Sequence, residues 1–351
     1  MKNRVMIVLL VATAMVVFLF GTYKPVHSKE NIVQFSYSNF FPAGHFISNA
    51  AEAWTREIEK RTGGRVKITM HHSGTLTSAT ACYEGVVRNI SDIGLSCLAY
   101  TPGRFPLMEV IDLPGYPFTP RITCRIAQDL YMKFKPKELT DTHVLYLYAH
   151  IPGGIVTRDK PVRNLEELKG LRIRCTGLSA KIVQLLGATP VGMSKGEQYE
   201  ALQRGVVDGS TIGPNELIYY KVAEVAKFLT LHSPVGYVTA FFNVMNLKKW
   251  NSLPPDIQKI FTEVSEEWVE YVGKAWESAE IEGIQFGKKK GITYFVLSPE
   301  EGARWEKALK PIFDAYLKDM ETKGLPGKEV LEYRQKLIEK YRTVYPALKV
   351  D

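Results

Sequence analysis

A single long amphipathic helix constrains the fold of this chain more than any other feature of its sequence. After Pro254-Pro255, apolar side chains recur at helical spacing on one face until Gly291, which corresponds to about 35 residues or about 52 Å of helix. The apolar positions are 257, 260, 261, 264, 268, 271, 272, 275 and 279. One globular domain is too small to cover such a helix, so we expect it to span two domains.

The rest of the chain alternates between strand and helix periodicity. The first part is predicted to contain strands and helices in turn at 33–37, 47–58, 66–70, 78–89 and 92–98. The alternation returns later, with strands predicted over Tyr146–His150, Leu171–Cys175 and Val206–Ser210. Helices are predicted to start at the capping boxes Asn164-x-x-Glu167 and Ser194-x-x-Glu197. An apolar segment over Val235–Leu247 then leads out of this second α/β unit. Short strands separated by helices indicate α/β units whose mainly parallel sheets carry helices on both faces.

The N-terminus has the pattern of a secretory signal peptide. Lys2 and Arg4 precede a charge-free, mainly apolar stretch from Val5 to Phe20, and the small residue Ser28 follows a polar run. We expect residues 1–28 to be cleaved and the mature chain to be soluble outside the cytoplasmic membrane. An uncleaved membrane anchor is the alternative, although this stretch is shorter than the ~20 residues that span a bilayer.

Composition and motifs exclude several classes of function. The net charge of +8 is mild for 351 residues and does not indicate a nucleic-acid partner. The sequence has no GxSxG elbow, no Walker loop, no GxGxxG after a strand and no HExxH motif. His71 and His72 are adjacent on a predicted strand and point to opposite faces, so they cannot share a metal ion. We therefore expect no cofactor and no metal, and the four cysteines predict buried thiols rather than disulfides.

Two arginines on one predicted strand suggest an anion-binding site. Leu171, Ile173 and Cys175 share one face of this strand, which places Arg172 and Arg174 on the other face. Arg174 lies at the carboxyl end of the strand, where open α/β sheets bind ligands, and its planar guanidinium matches a carboxylate. From spacing alone, a carboxylate clamp and a salt bridge at the surface or between domains are equally good interpretations.

Several stretches of the sequence resemble the solute-receptor family of tripartite ATP-independent periplasmic (TRAP) transporters, the DctP family. They occur in order between about residues 31 and 310 and read RTGGRVKITMHHSGTL, DIGLSCLAYTPGRFP with IDLPGYPF, KPVRNLEELKGLRIRCTG, LGATPVGMSKGEQYEALQRGVVDGS and WNSLPPDIQKI. The resemblance implies a periplasmic binding protein of two α/β domains joined by crossover strands and a long helix. It also implies that the domains close like a clamshell around a small organic acid, which is handed to a sodium-driven membrane permease.

Two domains are therefore expected, with the long helix spanning both. The first is predicted to comprise 29–152 and about 244–275, and the second 153–243 and about 276–351 with the C-terminal helices. Pro152-Gly153-Gly154 lies where the chain first crosses between them. A hinge and a close backbone approach to a ligand are equally good interpretations of this segment.

The resemblance favours Arg174 over Arg172 as the carboxylate clamp. The family's G-L-K-I-R type of motif reads GLRIR here, and its final arginine, which is Arg174 in this chain, would grip the ligand. Two further contacts of many members are missing, because glycines replace an arginine in IPGGIVTRDKPV and Ile212 stands where an asparagine touches the ligand. Asn215, one turn later, is the candidate substitute.

The missing polar contacts predict a ligand with one carboxylate and an apolar or aromatic body, because burying additional polar groups without partners is costly. The other residues that we expect around the ligand are aromatic walls and small polar groups near strand ends. The walls are Phe41, Tyr100, Tyr237 and Phe242, and the polar groups are Asn39 and Ser96. The sequence thus predicts a binding protein rather than an enzyme.

Two other functions remain as alternatives. A secreted hydrolase or isomerase would use Glu84, Asp92 or Asp208, but the sequence offers no recognisable nucleophile and base pair beside them. A sensor that reports its ligand to a membrane kinase would be distinguished by an adjacent kinase gene. The partners expected for the favoured function are a small organic acid and the membrane permease subunits, with the receptor acting as a monomer.

Overall fold

The computed structural model describes residues 32–231 and 236–346, and the predicted signal peptide lies outside them. The strands of the described residues are β1 (Val33–Asn39), β2 (Val66–His71), β3 (Ile93–Cys97), β4 (Thr142–Ala149), β5 (Gly154–Thr157), β6 (Arg172–Cys175), β7 (Thr189–Gly192), β8 (Gly209–Ile212), β9 (Phe228–Leu231), β10 (Ala240–Asn246) and β11 (Thr293–Val296). The helices are α1 (Phe46–Arg61), α2 (Cys82–Val87), α3 (Pro120–Phe134), α4 (Leu165–Leu168), α5 (Ser179–Leu185), α6 (Gln198–Gln203), α7 (Glu216–Tyr219), α8 (Leu247–Asn251), α9 (Pro255–Lys289), α10 (Pro299–Thr322) and α11 (Gly327–Arg342).

The strands form two mixed sheets. The first has the order β2-β1-β3-β10-β4, and the second has the order β11-β9-β5-β8-β6-β7. Pairs within the βα units are parallel, such as β1 with β3 and β6 with β7 and β8. In contrast, β10 is antiparallel to β3 and β4, and β5 is antiparallel to β8 and β9. The α/β class is confirmed, whereas the expectation of mainly parallel sheets was wrong.

The path of the chain between the sheets explains the antiparallel strands. The chain leaves the first sheet after β4 and enters the second through β5, and it later returns through β10. The outgoing and returning segments lie side by side, since His150 N donates to Thr239 O (3.3 Å) and Gly153 N donates to Tyr237 O (2.9 Å). Two neighbouring segments that cross in opposite directions must pair antiparallel, and β4 with β10 continues that pairing.

The predicted long helix is confirmed as α9, which has 35 residues. It packs against α1, α3 and β4 beside the first sheet and also reaches α7, which follows a strand of the second. Two tryptophans attach it to α1, because Trp268 Nε1 donates to Ala50 O (2.8 Å) and Trp54 Nε1 donates to Ser265 Oγ (3.3 Å). Within the described residues no helix is long and apolar enough to cross a membrane.

Several element boundaries differ from the sequence prediction, including those of β8 and α2. β8 begins at Gly209 rather than at Val206, because α6 ends at Gln203 and Gly205 turns the chain with a positive φ of 69°. The helix α2 has six residues, half of the predicted span over 78–89. In both cases the hydrophobic pattern located the element correctly, and turn geometry shortened or shifted it.

The four cysteines are buried and unbridged. Burial raises the pKa of Cys82 to about 11 and that of Cys124 to about 12, so both are thiols at neutral pH. They act as small apolar side chains in the core, whereas Cys97 lies at a cavity.

Candidate functional site

A small cavity is lined by residues of both sheets and of α9. The first sheet contributes the segments that follow β1 and β3, and the second contributes those that follow β6, β7 and β8. The segments that cross between the sheets, together with β10 and α9, supply the remaining wall. The complete lining is Phe40, Phe41, His45, Cys97, Tyr100, His150, Thr176, Lys195, Gly213, Asn215, Glu216, Tyr220, Tyr237, Thr239, Phe241 and Trp276. The cavity thus lies at the carboxyl ends of strands, where α/β sheets bind ligands.

Aromatic side chains form much of the cavity wall. Phe40 packs edge-on against Tyr100 with ring centroids 5.6 Å apart, and Phe41 lies 5.7 Å from Phe241. Phe241 in turn lies 6.1 Å from Trp276. Edge-on and tilted rings at these distances are favourable contacts, so the aromatic side chains support one another in the wall.

Arg174 is a buried cation that does not itself line the cavity but interacts electrostatically with residues that do. Its side chain is 1% exposed, and Nε and Nη2 both donate to Met193 O, at 3.0 and 2.7 Å. Its charge acts on groups that line the cavity: burial raises the pKa of Tyr100 and Arg174 opposes that rise, whereas burial lowers the pKa of Lys195 and Arg174 lowers it further. Within the described residues, Nη1 donates no hydrogen bond and no carboxylate forms a direct ion pair with Arg174. Its charge nevertheless adds to the hydrogen bonds of Ser194 in lowering the pKa of Glu197.

Arg172, two residues earlier, has a different environment. It is exposed, and its guanidinium forms a two-pronged pair with Asp208, with Nε–Oδ2 at 3.0 Å and Nη2–Oδ1 at 2.8 Å. The surface salt bridge considered for both arginines is therefore made by Arg172 alone. Arg174 is buried instead, and its guanidinium donates to a backbone carbonyl oxygen rather than to a carboxylate.

Lys195 and Glu216 form a second charged pair at the cavity. Lys195 Nζ lies 2.9 Å from the Glu216 carboxylate and donates to Thr211 O (3.2 Å). Gln198 Nε2 also donates to Glu216, at 2.8 Å, and Gly213 N donates to it at 3.1 Å. Burial lowers the pKa of Lys195 to about 8, against the opposite effect of Glu216. The pair carries no net charge at neutral pH while the lysine remains protonated.

The two histidines at the cavity are neutral. Burial lowers the pKa of His45 to about 3 and that of His150 to about 4. His45 Nδ1 accepts a hydrogen bond from Ile47 N (3.2 Å) at the start of α1, and His150 Nδ1 bonds Ile151 O. These rings add polar walls without adding positive charge.

Four of the residues predicted around the ligand line the cavity, namely Phe41, Tyr100, Asn215 and Tyr237. The loops that bring them together belong to different sheets. Lys195 N, which follows β7, donates to the hydroxyl of Tyr100, which follows β3, at 3.1 Å. This hydrogen bond joins the two halves of the wall.

The other predicted residues are buried but do not line the cavity. Asn39 shapes the loop after β1, because its Oδ1 accepts from Phe41 N at 3.0 Å. Ser96 Oγ donates to Ala79 O (2.7 Å), and Ile212 packs in the core of the second sheet. These residues support the site from behind rather than from its surface.

Phe242 points away from the cavity, and its neighbour Phe241 faces it. The Phe242 ring packs edge-on against Tyr83 with centroids 5.4 Å apart. Adjacent side chains of a strand point to opposite faces, so only one of the two phenylalanines can reach the cavity. The prediction chose the residue of the wrong face.

Sequence reasoning did not identify Lys195, Glu216, Trp276 or the two histidines as cavity residues. A partial signal existed for the first, because Lys195 follows Ser194, which starts the capping box that the structure contains. Trp276 lies four residues after Val272 of the helical stripe. No local pattern marked Glu216, whose side chain bonds Lys195 and Gln198 of one distant segment and Gly213 of its own loop.

The acidic residues considered for an enzyme lie outside the cavity. Glu84 pairs with Arg88 on the exposed side of α2, Asp92 accepts from Ser36, and Asp208 pairs with Arg172. In residues 32–231 and 236–346, no group of three or more histidine, cysteine or acidic side chains could hold a metal ion.

The fold matches that of known solute-binding proteins. A TRAP periplasmic solute-binding protein of Desulfovibrio salexigens is 34% identical, with a TM-score of 0.80 over 90% of this chain and 99% of that chain. A TRAP solute-binding protein of Rhodoferax ferrireducens, in complex with copurified benzoate, is 26% identical, with a TM-score of 0.84 over 89% and 99%. The C4-dicarboxylate-binding periplasmic protein DctP of Rhodobacter capsulatus is 27% identical over 271 residues, 73% of this chain and 78% of that protein.

These relatives define the class as periplasmic solute receptors. The model of the DctP family, described as bacterial extracellular solute-binding protein, family 7, matches residues 37–319. The chain belongs to this family, and it is a TRAP substrate-binding protein rather than an enzyme.

Proposed function

We propose that this receptor captures a small organic acid with one carboxylate and an apolar or aromatic body, and that Arg174 pairs with the carboxylate. One observation carries the proposal: Arg174 is a buried cation close to residues that line an aromatic cavity, and no carboxylate of the described residues forms a direct ion pair with it, although Glu197 interacts with its charge. An unpaired buried charge is unfavourable, so an anionic ligand supplies the partner that the protein itself does not.

The balance of charge around the cavity favours a monocarboxylate. Lys195 is paired with Glu216, and His45 and His150 are neutral at physiological pH, so the charge of Arg174 is left for the ligand. A second carboxylate would find no unpaired cation among the described lining residues. The copurified benzoate of the Rhodoferax relative is an acid of the proposed kind, whereas the dicarboxylate named for the Rhodobacter relative is not.

The aromatic wall supports the second half of the proposal. Phe41, Tyr100, Tyr237 and Phe241 all line the cavity, and a flat ligand packed among them removes apolar surface from water. Burial of that surface contributes about 25 cal/mol per Å². Asn215, which follows β8 of the second sheet, is the polar residue that we expect to contact the ligand.

Binding is proposed to close two domains like a clamshell. The domains are those predicted from the sequence, 29–152 with about 244–275 and 153–243 with about 276–351. The cavity has walls from both sheets, so a ligand contacts both domains only when they are closed. A ligand that binds the closed form better than the open form shifts the population toward it.

The closed receptor is proposed to deliver its ligand, as a monomer in the periplasm, to the TRAP permease subunits in the membrane. The predicted cleavage after Ser28 would release it for this role. The mass of the exported protein tests the cleavage, and uptake of a labelled acid by cells that carry the adjacent permease genes tests delivery.

Titration calorimetry of purified protein tests the Arg174 pairing. A thermal-shift screen of aromatic and branched monocarboxylates first selects a ligand, since a bound ligand raises the apparent melting temperature. Arg174→Met is then expected to weaken binding at least ~100-fold, because the carboxylate loses its buried partner. Arg172→Met, on the same strand but exposed and paired with Asp208, is the matched control and should bind within about threefold of wild type. Equal affinities of wild type and Arg174→Met would contradict the proposal.

A further inference from the structure

A second cavity lies between the two halves of the molecule, each of which is built on one sheet. One wall belongs to the segment that follows β3 and includes Leu98, Phe105 and Met108. The opposite wall includes Leu178, just before α5, and Pro190 of β7. The cavity has a volume of about 550 Å³, which is within the range of small-molecule sites, and it shares no lining residue with the ligand cavity.

Asp112 brings a buried carboxyl group to this second cavity. It follows the 3₁₀ turn Met108–Ile111, is 4% exposed and lines the cavity. Its Oδ1 accepts from Ala240 N of β10 at 3.0 Å. Within the described residues, Oδ2 forms no hydrogen bond and neither oxygen forms an ion pair. Asp112 belongs to the stretch IDLPGYPF, which contributes to the family resemblance but has no part in the acid-binding site.

No cation of the described residues is paired with the carboxyl groups of this cavity. Glu109, one turn before Asp112, also lines the cavity and forms no ion pair there. Lys323 acts on Glu109 but is paired with an aspartate of α10 at 2.5 Å. Lys181 lines the opposite wall and is exposed, and its Nζ bonds a glutamine of its own helix at 3.5 Å. The cavity therefore combines apolar walls with two carboxyl groups that lack a positive partner.

With no cation beside it, Asp112 favours its protonated form. Burial raises the pKa of Asp112 well above its usual range, and Glu109 adds to the rise against the opposite effect of the hydrogen bond from Ala240. Burial also raises the pKa of Glu109. A positively charged group that enters the cavity takes the place of the proton, which passes to the solvent. The ion pair is then made by the carboxylate that forms on binding.

We propose that the second cavity binds a small organic ammonium ion with an apolar body, and that Asp112 pairs with its charge. The ammonium group can donate to Asp112 Oδ2, and Leu98, Phe105 and Met108 can cover the apolar body. This site goes beyond the proposed function, because it is separate from the acid cavity and takes a ligand of opposite charge.

Binding at the second site is coupled to binding of the acid through closure. Gly177 and Ala99 meet across the two halves, and both line the second cavity. An ammonium ion that contacts both walls favours the closed form, so this step rests on the proposed clamshell closure. Each ligand then raises the affinity for the other by the same factor.

Calorimetric titration with benzylammonium chloride tests the site, with benzyl alcohol as the uncharged analogue of similar shape. Wild type is expected to bind the ammonium ion at least about tenfold more tightly than the alcohol. Asp112→Asn keeps an acceptor for Ala240 N and removes the charge, so it should lose this preference. Glu84→Gln, which changes an exposed acid of α2 paired with Arg88, is the matched control and should keep it. Heats in two buffers of different ionisation enthalpy should show net proton release in wild type and none in Asp112→Asn.

Glu109→Gln provides a second variant, which is expected to weaken binding of the ammonium ion about threefold. A melting curve for each variant identifies one that fails to fold. Absence of binding in wild type would overturn the inference, as would equal binding of benzylammonium by wild type, Asp112→Asn and Glu109→Gln.

The coupling is measured with the acid that the thermal-shift screen selects. At saturating benzylammonium, its dissociation constant should fall about fivefold or more. A dissociation constant that rises would place the ammonium ion in the acid cavity and overturn the second site, and an unchanged one would overturn the coupling. Failure of the proposed function is separate, because it would be seen as unchanged binding of every acid by Arg174→Met.

Discussion

Gly153 packs so closely against the Tyr237 ring that no side chain fits at position 153. A Cβ atom on Gly153 would overlap Tyr237 Cε1 and would lie 2.7 Å from Ile212 O. The two residues belong to the two crossing segments, and Gly153 N donates to Tyr237 O at 2.9 Å. The absence of a side chain at Gly153 thus leaves room for the Tyr237 ring in the cavity wall. According to the family resemblance, many members carry an arginine where this chain has these glycines.

Gly153→Ala is expected to displace the Tyr237 ring. Overpacking of this kind should lower the free energy of unfolding by about 1–3 kcal/mol, and we expect ligand affinity to fall along with it. Calorimetry and chemical denaturation measure the two effects. Gly302→Ala is the control, because it lies in α10 with no atom within 4 Å of its Cβ position and should be neutral or stabilising by up to ~1 kcal/mol. Unaltered affinity in Gly153→Ala would argue against the ring's part in binding.

Affinity for an anionic ligand is expected to fall as the pH rises from 7 to 9. The pKa of Lys195 is lowered to about 8, so above pH 8 the lysine loses its charge and leaves Glu216 as an unneutralised carboxylate at the cavity. Burial raises the pKa of Glu280 to about 8, so ionisation of this residue adds negative charge over the same range. We expect dissociation constants to rise roughly tenfold in all.

The two contributions can be separated by measuring the pH profile in variants. Lys195→Met should remove the part due to the lysine, and Glu280→Gln the part due to the carboxyl group. A flat profile between pH 7 and 9 in wild type would show that neither group changes its charge near the ligand.

The ligand-free protein is expected to lose stability as the pH falls below 6.5. His45 has a pKa of about 3 in the folded state, so between pH 6.5 and 3 the unfolded chain binds a proton that the folded chain does not. Each such histidine lowers the free energy of unfolding by about 1.4 kcal/mol per pH unit over that range. His45→Asn keeps an acceptor for Ile47 N at the start of α1 and should reduce the acid sensitivity.

Urea denaturation at pH 5 and pH 7.5 checks this prediction. The difference between wild type and His45→Asn at pH 7.5 gives the effect of the substitution itself, because the native histidine is neutral there. An equal loss of stability on acidification in the two proteins would exclude His45 as a source of it.

Closure is expected to depend on a contact between Gly177, which follows β6, and Ala99, which follows β3. A Cβ atom on Gly177 would lie 2.6 Å from Ala99 Cβ. Gly177→Ala should therefore hold the two sheets apart, weaken ligand binding and increase the radius of gyration at saturating ligand in solution scattering. Gly187→Ala is the matched control, because Gly187 also has a positive φ but has no atom within 4 Å of its Cβ position. The same scattering curve for both variants would contradict a role of the Gly177–Ala99 contact in closure.

Local patterns in the sequence predicted the elements of the fold well. The apolar stripe after Pro254-Pro255 gave α9 to within two residues at its end, and strand periodicity located β1, β2, β3 and β6. These features depend on near-neighbour sterics and on which side chains share a face. The same reasoning put Arg174 at the end of a strand, although it could not tell whether Arg172 or Arg174 would be buried.

Contacts between distant segments decided the composition of the site. The choice between Phe241 and Phe242 depended on which face of β10 meets the cavity, and a shift of one residue reverses it. Glu280 and Asn215 are separated by 65 positions, and Lys195 and Glu216 by 21. No periodicity or motif in the sequence identifies such pairs.

The sequence by itself determined the α/β elements, the long helix and the family of solute receptors, because periodicity, capping and motif spacing are properties of neighbouring residues. Only the tertiary structure decided that Arg174 is a buried cation without a carboxylate partner among the described residues, and that Lys195 is neutralised by Glu216. Burial and charge pairing depend on chain segments that meet only when both sheets and α9 have assembled, so their energetics follow from the folded geometry.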